Sequence, residues 1–106
     1  MNQYEYEEYL KTAPQHPDYE PIGRRYKDCF GIEQTIILHR NYWAYLDWLV
    51  ENADLDAEAW IAECDKHRED KALSYNLMHW LWWDECDRHR KGHATLSDIP
   101  PLGYEE

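Results

Sequence analysis

RYKDCFGIEQTIILHR, residues 25–40, decides how this chain folds. Within it Thr35, Ile36, Ile37 and Leu38 are β-branched or apolar over too few residues to make a helix, so the stretch reads as a strand at about 33–39. Gly31 permits a turn just ahead of it, and residues 25–30 form a weaker candidate partner strand. A lone strand leaves its outward N–H and C=O groups unpaired, so the partner must be 25–30 or another chain. Alternation along the strand points Ile36 and Leu38 inward and Thr35, Ile37 and His39 outward.

Working outward, the period changes at Asn41, a candidate N-cap. Trp43, Leu46, Val50 and Ala53 recur at helical spacing, flanked by Tyr42, Tyr45 and Leu49, which predicts a helix at about 42–53. Asp54 and Asp56 break that run and cap a second helix at about 57–69, striped by Ala57, Trp60, Ile61 and Cys64. Leu73, Leu77, Trp80 and Leu81 mark a third at about 73–91, ended by Gly92 and closed by Arg88, Arg90 and Lys91, which suit the negative end of the helix dipole. Trp43 and Trp60 read as ordinary core residues. Met78, Trp80, Leu81, Trp82 and Trp83 instead cover nearly the whole circumference of the third helix, and a helix apolar all round must be covered all round. Trp80, Trp82 and Trp83 are therefore placed, with Ile36 and Leu38, at an interface with a second copy.

The 106 residues suit one domain. An acidic, Tyr- and Pro-rich arm occupies 1–24, whose Tyr4, Tyr6 and Tyr9 are candidates to dock on a partner; the helical domain occupies 25–92 and a tail 93–106. Hydrophobic residues reach 43%, enough to fold, yet the formal charge is -11. That charge is uneven: residues 1–20 carry -4, 21–32 carry +2, 33–70 carry -7, 71–93 carry +1 and 94–106 carry -3. The surplus disfavours general affinity for phosphate or anionic membranes. Arg24, Arg25 and Lys27 form a single short basic arm between acidic blocks. Three cysteines, no secretory signal and no long apolar run point to a reducing, cytoplasmic setting.

The order of a strand, a Trp-started helix, a short turn and a second helix resembles the ribbon-helix-helix family, in particular a small bacterial and phage-associated branch. The resemblance spans about 25–90 and rests on Gly31, Gln34, Thr35, Ile36, Leu38, Tyr42 and Trp43, then on Leu46, Leu49, Ile61 and the later LSYNLMHWL. His39 stands where that branch usually has an acid. The resemblance implies a mainly α, ribbon-helix-helix-like fold of one short strand plus three helices, closed as an intertwined dimer whose strands pair across the twofold axis. In the wider fold that ribbon enters the major groove of operator DNA. Here Thr35, Ile37 and His39 would face the bases, and Ile37 offers no donor or acceptor. Asp54, Asp56 and Glu58 would repel phosphate at the start of the second helix. Arg24, Arg25 and Lys27 speak the other way, as cations able to follow the backbone.

ECDKHR at 63–68 and ECDRHR at 85–90 echo one another, pairing Cys64 with His67 and Cys86 with His89 at a spacing that could offer a tetrahedral zinc site. The competing reading, a small core cysteine beside a histidine at each helix end, is the one adopted, with no metal and no cofactor. No phosphate-cradling glycine loop, nucleophile turn or helical His-Glu-x-x-His pattern occurs, so an enzyme is not expected. The expectation is a non-catalytic, acidic, dimeric regulator or inhibitor that binds a basic, nucleic-acid-binding protein, as a phage-encoded inhibitor of a host machine would. A ribbon-helix-helix transcriptional regulator that binds DNA is the alternative.

Overall fold

The computed structural model describes residues 2–5, 8 and 19–97. Strand β1 runs Pro21–Lys27 and β2 runs Glu33–His39, followed by helices α1 (Arg40–Asn52), α2 (Ala57–Lys66) and α3 (Leu73–Lys91). The two strands form an antiparallel hairpin in which Pro21 lies opposite His39 and Lys27 opposite Glu33. The expected mainly α, intertwined fold is thereby corrected. The sheet has two strands, both supplied by this chain, giving a small α/β domain. The ladder closes within the hairpin, with Asp28 N–H donating to Ile32 O at 2.8 Å and Arg40 N–H to Glu20 O at 2.9 Å at its two ends. β2 therefore needs no strand from a second chain to pair with.

β1 lies earlier than the 25–30 expected. Its sequence, PIGRRYK, alternates exposed and half-buried positions, but the half-buried set is Ile22, Arg24 and Tyr26, so alternation is hidden by an arginine on the core side. Pro21 is tolerated as the first residue of an edge strand, where no ladder hydrogen bond needs its nitrogen. Cys29 and Phe30 belong instead to the connecting turn, which Gly31 closes at φ 79°. Asp28 organises that turn, accepting from the N–H groups of Phe30 and Ile32, both at 2.9 Å.

The inner face of the hairpin lays Ile36 and Leu38 on one core with Trp43, Leu46 and Leu49 of α1, Ile61 and Cys64 of α2, and Leu77 and Leu81 of α3. α1 differs from its expected stripe. Leu49 is buried and Val50 is exposed, because the helix turns its Tyr45 side inward toward α3. Asn41 is not the cap; His39 holds that position without a side-chain bond. Asp56 does cap α2, accepting from Ala59 N–H at 3.2 Å. That helix ends at Lys66, before the 69 expected. α3 keeps its expected bounds, stopped by Gly92 at φ 71°, with His93 N–H reaching back to Arg88 O at 2.8 Å.

Polar bonds at and beside the core also tie the elements together. Tyr45 OH donates to Asp84 at 2.7 Å, joining α1 to α3, and Asn76 donates to Cys64 O at 3.0 Å, joining α3 to the end of α2. The buried Asp65 accepts from Cys29 N–H at 3.0 Å and pairs with Arg68 at 2.6 Å, anchoring the hairpin turn on α2. Ser74 Oγ accepts from Ile37 N–H at 3.1 Å, so part of the outer edge of β2 is occupied by the first turn of α3.

Candidate functional site

The basic arm folds onto the chain's own acids. Arg24 lies on the inner side of β1, its guanidinium 4.8 Å from the centre of the Trp43 indole and bidentate to Asp47 at 2.8 and 2.9 Å. The Asp47 bond raises its pKa further above the ordinary arginine value. Arg25 faces outward and meets Glu33 at 3.3 Å, and Lys27 is exposed opposite that same glutamate. Of the outward residues expected on β2, Thr35 is exposed and Ile37 half-buried, but His39 is buried at 4% exposure, with the Tyr19 ring edge-on at 5.7 Å. The chain turns into α1 there, carrying the end of the strand under the surface. Burial lowers the His39 pKa. Ile36 and Leu38 lie in the core of the single chain.

Other cations are answered in the same way. Arg40 pairs with Glu20, Lys66 with Glu63, Arg68 with Asp65, Arg88 with Asp84 and Lys91 with Asp87. With 22 acids to 11 bases, this leaves carboxylates in surplus. Exposed Glu51, Asp54, Asp56 and Glu58 are concentrated at the junction of α1 and α2, and Glu69 and Asp70 at that of α2 and α3. Asp54 and Glu69 are the non-glycine residues at positive φ among those described, at 53° and 57°.

The tryptophans divide. Trp43 is buried, with its indole N–H donating to Ile22 O at 2.7 Å. Trp60 is only half-buried, against the core position expected of it. Trp80 and Trp82 are half-buried and Trp83 is 53% exposed. Trp60 meets Trp80 edge-on at 5.6 Å, and with Trp83, Asp84 and Asp87 they line an open cleft of about 330 Å³ between α2 and α3. Trp80, Trp83, Asp84 and Asp87 stand at i, i+3, i+4 and i+7, so the helix places two indoles and two carboxylates on one stripe. That spacing was legible. What hid the site was reading the tryptophans as apolar area alone, without the aspartates one turn on or the facing Trp60.

The echoed Cys-His pairs do not meet in a metal centre: among the described residues, no three histidine, cysteine or acidic side chains gather as one. Cys64 is buried, its thiol pushed up to about 12 by that burial, and accepts from Asn76 at 3.3 Å. His67 is exposed, bonds Glu63 at 3.2 Å and stacks on Trp80 at 6.3 Å. Cys86 is buried, and His89 lies 3.3 Å from the Thr95 hydroxyl. Tyr4 of the N-terminal arm is exposed, whereas Tyr6 and Tyr9 lie outside the described residues. No helix among those described is long and apolar enough to cross a membrane. Comparison with protein-family models, with curated proteins and with solved structures gave no match.

Proposed function

We propose that this protein is a non-catalytic, acidic interaction protein that binds a basic, nucleic-acid-binding protein and regulates or inhibits it by occupying the surface that would grip nucleic acid. The observation that carries this reading is the carboxylate surplus. Most of the described cations, Arg24, Arg25, Arg40 and Lys66 among them, are held in internal pairs, while Glu51, Asp54, Asp56 and Glu58 present negative charge together at one junction. Complementary potential of this kind steers a basic partner and repels nucleic acid. The alternative, DNA binding, draws on a ribbon shared by two chains and on Arg24, Arg25 and Lys27 as cations that follow the phosphate backbone, of which exposed Lys27 is the one in no ion pair among the described residues. The hairpin closes within one chain and both arginines hold carboxylates.

The test is a salt-titrated comparison of two ligands. Immobilised protein should retain basic nucleic-acid-binding proteins from a lysate at low salt and release them as salt rises, and it should leave duplex DNA unretarded in a gel. Retarded duplex at low salt, with no basic protein retained, would overturn the proposal.

A further inference from the structure

We infer that the cleft between α2 and α3 is a guanidinium site, which takes an arginine side chain from the surface of the basic partner. This inference rests on the acidic-binder reading and gives it a specific contact.

The chain itself supplies the template. On α1, Trp43 and Asp47 stand four residues apart and clamp Arg24 between the indole face, at 4.8 Å, and the bidentate carboxylate. The same Trp-x-x-x-Asp spacing recurs on α3 as Trp80 with Asp84 and Trp83 with Asp87. Arg88 is held on a related plan, 5.8 Å from the Trp48 ring centre and 3.0 Å from Asp84. An indole face carries negative quadrupole density and a carboxylate carries full charge, so together they favour a flat, weakly hydrated cation. Trp60 and Trp80, edge-on to one another, supply the further walls against which the alkyl stem of an arginine can pack.

The rim is already partly neutralised, and the magnitudes decide whether that closes the site. Lys91 meets Asp87 at 2.9 Å, but both side chains are about half exposed, 58% and 43%, and such an i,i+4 pair is readily exchanged for an incoming cation. Arg90 lies 5.4 Å from the Trp83 ring centre. Trp82 stacks on the same ring at 5.9 Å, so an incoming guanidinium takes the place of exposed Arg90 on Trp83, as it does of Lys91 on Asp87. Asp84 is committed to Tyr45 and Arg88 and contributes field rather than a direct bond. Asp87 is therefore the carboxylate assigned to the incoming guanidinium, and Trp83 the indole.

A site-resolved titration tests this. Nitrogen-15-labelled protein is titrated with a synthetic peptide of arginines spaced by glycine and serine, and with its lysine counterpart, following the indole N–H resonances. The expected result is saturable shifts at Trp60, Trp80 and Trp83 while Trp43 stays still, with the lysine peptide weaker. Affinity for the arginine peptide should fall about tenfold in Trp83→Ala and severalfold in Asp87→Asn, the latter keeping all three indoles. Equal affinities for the two peptides would overturn the guanidinium assignment. Binding that leaves the cleft indoles unshifted, or that survives both substitutions unchanged, would remove the cleft and leave the acidic-binder reading standing. Absence of binding to either peptide would overturn both.

Discussion

Tyr45 shows what single side chains must do in a domain of this size. Its ring is buried, and its hydroxyl donates to Asp84, which also holds Arg88. Burial, with Asp84 beside it, raises the phenol pKa, so the hydroxyl remains a donor across ordinary pH. Tyr45→Phe removes that donor from a partly buried carboxylate and should cost about 1–2 kcal/mol, read as a lowered urea midpoint at unchanged slope. His39 works through protonation. Its ordinary value is 6.5 and burial lowers it, so the unfolded chain takes up the proton first. The stability associated with neutral His39 is complete above 6.5 and is lost as pH falls toward its folded pKa. Urea midpoints at about pH 7.5 and about pH 5.5 should therefore diverge in the wild type, and His39→Gln should narrow the gap. The thiols separate by burial. Cys64 and Cys86 should react with a thiol reagent only after unfolding, whereas half-buried Cys29, its pKa raised first by its bond to Asp65, should react slowly in the native state.

At the scale of elements, what could be read in the sequence depended on whether local chemistry or tertiary contact fixed the boundary. β2 and α3 each have a local signal at one end: a β-branched run after Gly31 for one, and a left-handed Gly92 behind a basic last turn for the other. α2 has its start in Asp56, whose carboxylate accepts from Ala59 N–H; Asp56→Ala should cost about 1 kcal/mol, seen as a lower thermal midpoint. β1 had no such signal. Arg24 occupies a core-side position there only because Trp43 and Asp47, on a helix some twenty residues away, receive it, and no property of PIGRRYK itself reports that. The buried face of α1 escaped for the same reason: Tyr45, bonded to Asp84 of α3, lies on the side that buries Leu49 and leaves Val50 exposed. The candidate cleft was half legible, since the spacing of Trp80, Trp83, Asp84 and Asp87 is local, while the wall supplied by Trp60 comes from packing α2 on α3.

For the whole molecule the governing quantity is the formal charge of -11, and it acts with opposite sign on folding and on binding. Within the chain, compaction brings unanswered carboxylates together at the α1–α2 junction, and this self-repulsion opposes the folded state. Added salt screens it. Salt also weakens the exposed ion pairs, such as Arg25 with Glu33 and Lys66 with Glu63, but those contribute only about 0–1 kcal/mol each. Repulsion is summed over many more separations than there are bonded pairs, so its relief is the larger effect. Raising ionic strength from about 0.01 M to about 0.15 M shortens the screening length from about 30 Å to about 8 Å, within the dimensions of the molecule, and the thermal midpoint should rise over that range. Association with a basic partner has the reverse dependence, because the same screening removes the attraction that draws the surfaces together. Calorimetry and a binding titration over one salt series should therefore move in opposite directions. A Glu51→Gln, Asp54→Asn, Glu58→Gln variant should flatten both slopes, raising the low-salt midpoint while weakening low-salt binding. If the variant binds as the wild type does and only its midpoint moves, the junction carboxylates burden the fold without serving the partner, and the charge that recruits it lies elsewhere on the surface.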